Sequence, residues 1–283
     1  MLNGCAYILT VDVGNTFIRF GLFAEDSAAA QERPLATCEI TTPSSITADE
    51  ARMRLAQVTA ALAADAGMPG ALVPTAAVLS CVVPALERPW KTALSRACTG
   101  RVLTVGPGLK TGMPVHYDDP AEIGPDRIAD AVAARAVYGS PCIVIDLGTT
   151  TNIEVIDAHG TFVGGVIAPG LALGARSLSA AAARLPQVEP SAPTHVIGRN
   201  TREAMRSGVV LGEVARIDGM LDMVLAEMRA TKAAGEGDVP IVITGDDAEA
   251  LAALVGHSLT VDDALTLRGL AELYRINQKP RRV

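Results

Sequence analysis

Two short segments carry carboxylates in a setting suited to phosphate: Val11-Asp12-Val13-Gly14-Asn15-Thr16 and Ile145-Asp146-Leu147-Gly148-Thr149-Thr150. Each follows a β-branched hydrophobic run and leads into another apolar stretch, and the two lie nearly half the chain apart. One Asp-x-Gly at a strand end is weak evidence. Two copies at this offset predict duplicated strand–turn–strand units facing each other across a cleft. Such a turn sets a carboxylate beside exposed backbone N–H groups, which suits it to holding a metal-bound phosphate. Asp12 would carry magnesium directly or through water, while Asn15, Thr16 and the N–H groups of the Val13–Gly14 turn orient the transferred group. Asp146 would meet the same charge from the other half, with Gly148, Thr149 and Thr150 lining the path. The spacing therefore points to phosphoryl transfer, although the same residues would also serve as Asx turns that end strands.

Asp126 follows Gly124-Pro125 and precedes Arg127, in what should be the first turn of a helix. A carboxylate there complements the helix N-terminus, or it orients and deprotonates an alcohol attacking a γ-phosphoryl group. Phosphoryl transfer needs alignment and charge stabilisation more than a strong base, so a modestly placed Asp suffices. Arg127 offers a forked donor to a carboxylate or phosphate, or pairs at the surface. His116, His159, His195 and His257 have no metal-ligand spacing and no local Ser or Cys partner, so a nucleophilic triad has no positive case.

The elements that would position these groups alternate in the manner of an α/β chain. Strands are expected at 7–11, 17–23, 36–40, 76–81 and 102–105, with helices at 47–67 and 84–97. A glycine-rich passage, Gly106-Pro107-Gly108-Leu109-Lys110-Thr111-Gly112, then opens a loop that is a credible ligand-contacting segment. A helix begins at Pro125, and strands follow at 142–146, 154–156 and 162–167, the last two joined by a hairpin at 157–160. Helices at 171–185 and 201–230 come next, the second opened by an Asn200/Glu203 capping pair. A strand at 241–243 and helices from 248 and 265 complete the reading, with residues 279–283 fraying. The division between halves is placed at 1–115 and 116–283.

With 283 residues, 49% hydrophobic and 19% charged, the chain can bury the cores of two domains. A formal charge of -7, with no basic stripe and few aromatics, argues against nucleic-acid binding. The first apolar run meets Asp12 too early to cross a membrane and has no basic region before it, so a cytoplasmic location is expected. Five scattered cysteines without a CxxC pair read as free thiols rather than a zinc site, with Cys5, Cys81 and Cys142 expected to be buried.

Further motifs keep the order Tyr117-Asp118-Asp119-Pro120, Gly124-Pro125-Asp126-Arg127, Gly164-Gly165-Val166-Ile167-Ala168-Pro169-Gly170 and Ile197-Gly198-Arg199-Asn200-Thr201. Together with the Asp12 and Asp146 segments and the 106–112 passage, they resemble the type III pantothenate kinase family over nearly the whole chain. That resemblance implies a two-domain duplicated ribonuclease-H-like or actin-like phosphotransferase fold. It implies ATP as phosphoryl donor, magnesium, a monovalent cation (potassium or ammonium), pantothenate as substrate and a homodimer with pantothenate near the subunit interface. By the same resemblance Asp126 is the general base and Arg127 engages pantothenate. Gly124, Tyr117 and Thr201 belong to the pantothenate pocket, and Asp12 and Asp146 serve the metal–phosphate centre. The chain departs from the family pattern at Asn152 and Glu154, where Thr and Asp are usual, and at Asp246, where Gly is usual. A divergent small-alcohol kinase and a catalytically silent dimeric metabolite-binding or regulatory protein are the alternatives.

Overall fold

The computed structural model describes residues 6–25, 32–68 and 72–278. In the first half β1 (Tyr7–Val13), β2 (Phe17–Ala24) and β3 (Ala36–Thr41) form an antiparallel meander, and β4 (Ala76–Cys81) and β5 (Val102–Thr104) add in parallel on the other side of β1. The sheet order is β3-β2-β1-β4-β5. The second half repeats this with β6 (Cys142–Leu147), β7 (Thr150–Ile156), β8 (Phe162–Pro169), β9 (Ile241–Gly245) and β10 (Thr260–Val261), in the order β8-β7-β6-β9-β10. The expected duplication is therefore present strand for strand. Asp12 and Asp146 occupy equivalent places near the ends of the two central strands.

Alternation within β1 sorts its side chains between two covered faces. Tyr7, Leu9, Val11 and Val13 join the core made with α1 (Ala48–Asp65) and α2 (Pro84–Ala97), where Leu55, Leu62 and Trp90 are fully or almost fully buried. Ile8, Thr10 and Asp12 point to the opposite face. There α8 (Leu265–Ile276) packs against β1, β2 and β4. A second helix, α3 (Pro125–Tyr138), packs against α8 so closely that a Cβ added to Gly269 would lie 1.9 Å from the backbone oxygen of Ala129.

The second half has a corresponding core. Ile143, Ile145, Leu147, Ile153 and Val155 pack with Val214, Ile217 and Leu221 of α6 (Gly212–Ala230). The helix expected over 201–230 is in fact α5 (Thr201–Arg206), a π-helical turn at Ser207–Leu211, and α6. Ser207 is buried and its hydroxyl donates to the Val196 carbonyl at 2.5 Å, a contact beyond the helix that accompanies the widened turn. The helix expected at 171–185 is α4 (Leu171–Ala181), and α7 spans Ala248–Ala252. Strand β7 begins four residues earlier than the apolar pattern indicates, because Thr151 and Asn152 are buried polar residues inside it.

The described residues group into two compact units, one within Met1–Val137 and Ala264–Val283, the other Tyr138–Asp263. This line differs from the expected division at 115/116. The glycine-rich loop resembles a linker, but the helix after it is buried along most of its length and belongs with α8 on the first sheet. Cys5, residues 279–283 and most of the expected connection at 25–31 lie outside the described residues. Gly269→Ala should lower unfolding stability by about 1–3 kcal/mol in urea denaturation, because the backbone of α3 must retreat. Better helix propensity at that position would recover at most ~1 kcal/mol of it.

Candidate active site

In the first unit Asp12 is only 8% exposed, and its Oδ1 is buried with no hydrogen-bond partner. Its cross-strand neighbours, by register and so on the same face, are Arg19 on β2 and Ser80 on β4. Burial is the main reason its carboxyl is pushed up to about 6, and repulsion from Asp126 adds to it. The Ser80 hydroxyl and the Arg19 guanidinium act the other way without offsetting the rise. The turn after Val13 is tied down from both ends. Gly14 N–H donates to Phe17 at 3.0 Å, and the Thr42 hydroxyl donates to the Gly14 carbonyl at 2.7 Å. Asn15 and Thr16 at its tip are exposed.

Asp126 stands in the first turn of α3. The local fold makes room for it: a Cβ on Gly124 would lie 2.3 Å from Asp126 Oδ1. The same oxygen accepts the Arg127 backbone N–H at 2.8 Å. Burial raises the Asp126 carboxyl, opposed by that hydrogen bond and by the Arg127 charge. Arg127 itself is 5% exposed. Asp12 and Asp126 thus come from a strand end and a helix start, and are near enough to repel.

A cavity of about 390 Å³ adjoins this corner, lined largely by apolar groups of the 105–123 loop, including Val105, Gly108, Met113 and Ile123. Its wall also contains Cys81, the residue after Ser80, and Pro125, the residue before Asp126. The Cys81 thiol donates to the Val83 carbonyl at 3.2 Å and is held up near 11 by burial, so it lines the wall as an unreactive thiol. Tyr117 lies in the same loop and is half-buried.

The second unit presents its own polar corner. Asp146 has Asn152 on β7 and Thr244 on β9 as register neighbours. Asn152 is 6% exposed with Oδ1 buried and unpartnered. Beside it the Thr151 hydroxyl donates to Glu213 at 2.6 Å, and Arg216 ties Glu213 to the Pro169 carbonyl. The Gly148–Thr150 turn is closed by the Gly148 N–H donating to the Thr150 carbonyl at 2.9 Å. Gly245 is required here: its φ is +89°, and a Cβ would lie 2.1 Å from the Leu147 carbonyl oxygen and 2.7 Å from Asp146 Oδ1. Asp246 follows directly, half-buried, with its N–H donating to that same Leu147 carbonyl. Thr201 is the exposed first residue of α5, whose cap is the Asn200 side chain accepting from Glu203 N–H at 3.0 Å.

Of the residues singled out by sequence, Asp12, Gly124, Asp126 and Arg127 gather in the first unit, and Asp146, Gly148, Thr149 and Thr150 in the second. Tyr117 is carried by the loop of the first unit and Thr201 by a helix of the second. Arg19 and Ser80 escaped notice, although each is a polar residue at an inner position of an otherwise apolar strand.

A family model described as type III pantothenate kinase matches residues 8–223. The chain is similar to the type III pantothenate kinase of Nocardia farcinica, 41% identical over 280 residues and covering 97% of this chain and 99% of the relative. It is 38% identical over 275 residues to that of Koribacter versatilis, covering 96% of each. Among solved structures it is similar in fold to a ROK hexokinase from Thermus thermophilus, with a TM-score of 0.51 and 14% identity over 96% of this chain and 100% of the other. No helix among the described residues is long and apolar enough to cross a membrane.

The Asp12 carboxyl sets a pH-dependent cost on folding. Its folded value, about 6, lies above the ordinary 3.8, so the folded state holds this proton more tightly than the unfolded one. The cost is absent below the ordinary value, grows as pH rises between the two, and is complete above the folded value. Ligand-free Asp12→Asn protein should therefore exceed the parent in stability at pH 7.5 by about 2–3 kcal/mol. Denaturation at stepped pH should show the gap closing toward pH ~4.

Proposed function

We propose an assignment of roles for this chain, which belongs to the type III pantothenate kinase family and transfers the γ-phosphoryl group of ATP to pantothenate, forming 4'-phosphopantothenate for coenzyme A synthesis. The observation that carries the assignment is the corner of the first unit, where Asp126 stands beside Asp12 and next to an apolar cavity. Pantothenate joins a branched apolar segment to a primary alcohol, and such a molecule needs an apolar wall ending at a carboxylate. Asp126 accepts the alcohol proton as the oxygen–phosphorus bond forms and the bond to the departing ADP breaks. Burial raises its carboxyl and so favours that proton transfer, while the Arg127 charge opposes the rise. Arg127 and Gly124, with Tyr117 and Thr201, hold the substrate.

Magnesium fits Asp12, whose buried Oδ1 has no protein donor to satisfy it. Among the described residues no three His, Cys, Asp or Glu side chains gather into a cage. One carboxylate plus phosphate oxygens is an ordinary arrangement for this ion. When bound, it offsets the charge on the phosphate oxygens. The turn from Asp12 through Val13, Gly14, Asn15 and Thr16 supplies N–H groups and side-chain donors to the triphosphate. Asp146 with Gly148, Thr149 and Thr150 would serve phosphate charge at the corner of the second unit. A potassium or ammonium ion fits the Asp146 corner, where the Asn152 Oδ1 provides a neutral oxygen. A homodimer completes the pantothenate pocket, and the enzyme works in the cytoplasm.

Supplied with ATP, magnesium, potassium and pantothenate, the protein should yield a product heavier than pantothenate by one phosphoryl group in mass spectrometry. Asp126→Asn should lower its rate by roughly 10²–10⁴-fold while pantothenate still binds. Arg127→Ala should act mainly on pantothenate KM. Binding of pantothenate without turnover by the parent protein would contradict the kinase reading. Normal turnover by Asp126→Asn would contradict the base.

A further inference from the structure

The glycine-rich passage 106–112 is a partition. Thr111 lines the 390 Å³ cavity on one side and, on the other, a second cleft of about 330 Å³ between α3 and α8. Leu109, Thr111 and Met113 line the cavity, whereas Lys110 and Gly112, which alternate with them, are held from behind by hydrogen bonds. A wall with open space on both sides is fixed by such bonds more than by packing. Gly112 has a φ of +71°, in the region that glycine enters without strain, and it brings no side chain to stiffen the turn.

We infer that Asn277, the residue that ends α8, is a positioning residue for the substrate cavity, its side-chain amide fastening the glycine-rich loop at Lys110. This rests on the pantothenate reading above and deepens it. Asn277 lies 167 residues from Lys110 in the chain. Its Oδ1 accepts the Lys110 backbone N–H at 3.2 Å, and its Nδ2 donates to the Lys110 carbonyl at 2.8 Å. The side chain thus meets both backbone polar groups of one residue, as a neighbouring strand would. Nδ2 also donates to the Leu273 carbonyl at 2.8 Å. Both donors of the amide are therefore used, and turning it over would set them against the Lys110 N–H.

The clamp is itself braced. Arg101, just before β5, donates to the Asn277 carbonyl at 3.1 Å. The Arg135 guanidinium of α3 donates to the Gly112 carbonyl and ties the loop a second time. Gly112 lies so close to Ile276 of α8 that an added Cβ would come within 2.9 Å of its Cδ1. The two helices that hold the loop are the ones that matter to the site. Asp126 stands on α3, and α8 packs against β1, the strand that carries Asp12. The cavity wall is thereby referenced to both carboxylates.

The plainer reading is that Asn277 only caps α8. A helix end needs its last carbonyls satisfied, and the Leu273 contact does that. The two bonds to Lys110 serve nothing within the helix.

The test compares Asn277→Ala and Arg135→Met with the parent. It reads hydrogen exchange of the Lys110 amide by NMR in ligand-free protein, steady-state KM values for pantothenate and ATP, and urea unfolding. Asn277→Ala should speed Lys110 exchange by roughly 10-fold or more, the worth of one or two lost hydrogen bonds. It should raise the pantothenate KM by about 10-fold, with the ATP KM and kcat within about twofold of the parent. Arg135→Met should raise the pantothenate KM in the same selective way. Unchanged Lys110 exchange in a folded Asn277→Ala protein would overturn the clamp. Faster exchange with an unchanged pantothenate KM would overturn its role at the substrate. Equal rises in both KM values with a lowered urea midpoint would mark a cap alone and overturn it too. If the parent makes no phosphopantothenate, the kinase reading fails on that result, and Lys110 exchange still upholds or overturns the clamp.

Discussion

Asp12 ends a strand covered on both faces, so its charge is placed where water cannot stabilise it. An isolated buried carboxylate is costly, and proteins normally pair it or leave it protonated. Here a second carboxylate, Asp126, is brought near enough to raise the cost further. The corner is electrostatically incomplete as a protein alone. In the proposed reading a cation bound with phosphate would complete it, and the folding energy given up at this corner would become affinity for that group. Preorganised charge of this kind is the main resource available for phosphoryl transfer, where little covalent chemistry is asked of the protein.

The fold bears that cost by making the surroundings stiff. Asp12 is anchored between two neighbouring strands, and Asp126 by the start of a helix that packs against α8 at backbone distance. Close approach does the positioning in both units. The missing side chain of Gly124 gives space to the Asp126 carboxylate, and that of Gly245 lets the end of β9 fold over Leu147 and Asp146. Each glycine touches the carboxylate it serves, so geometry and charge at the site are determined by the same few atoms. The apolar cavity that Pro125 helps to line would, in the proposed reading, supply a surface for the non-polar part of an alcohol substrate.

Much of this was legible in the residues. The paired Asp-x-Gly turns announced the duplication, and the strand order of the two sheets repeats accordingly. The Asn200/Glu203 pair marked the start of α5, and the Asp157 turn closed its hairpin where expected, with Asp157 accepting from the N–H groups of His159 and Thr161. Other features depended on long-range contacts. The start of β7 was hidden because Thr151 and Asn152 break the apolar pattern while being buried. Assignment of α3 and α8 to the first unit rests on a contact between Ala129 and Gly269, far apart in the chain. Arg19 and Ser80 became visible as neighbours of Asp12 only through strand register. The π-helical turn inside the long helix has no local punctuation except Gly208 and Gly212 at its ends.

The most direct measurement is an NMR titration of the Asp12 carboxyl carbon, run on the ligand-free protein and again with saturating magnesium and a non-hydrolysable ATP analogue. The account requires a midpoint near 6 in the free protein and a fall below the ordinary 3.8 once the magnesium–nucleotide is bound. A midpoint already at the ordinary value in the free protein, or one indifferent to the magnesium–nucleotide, would contradict it.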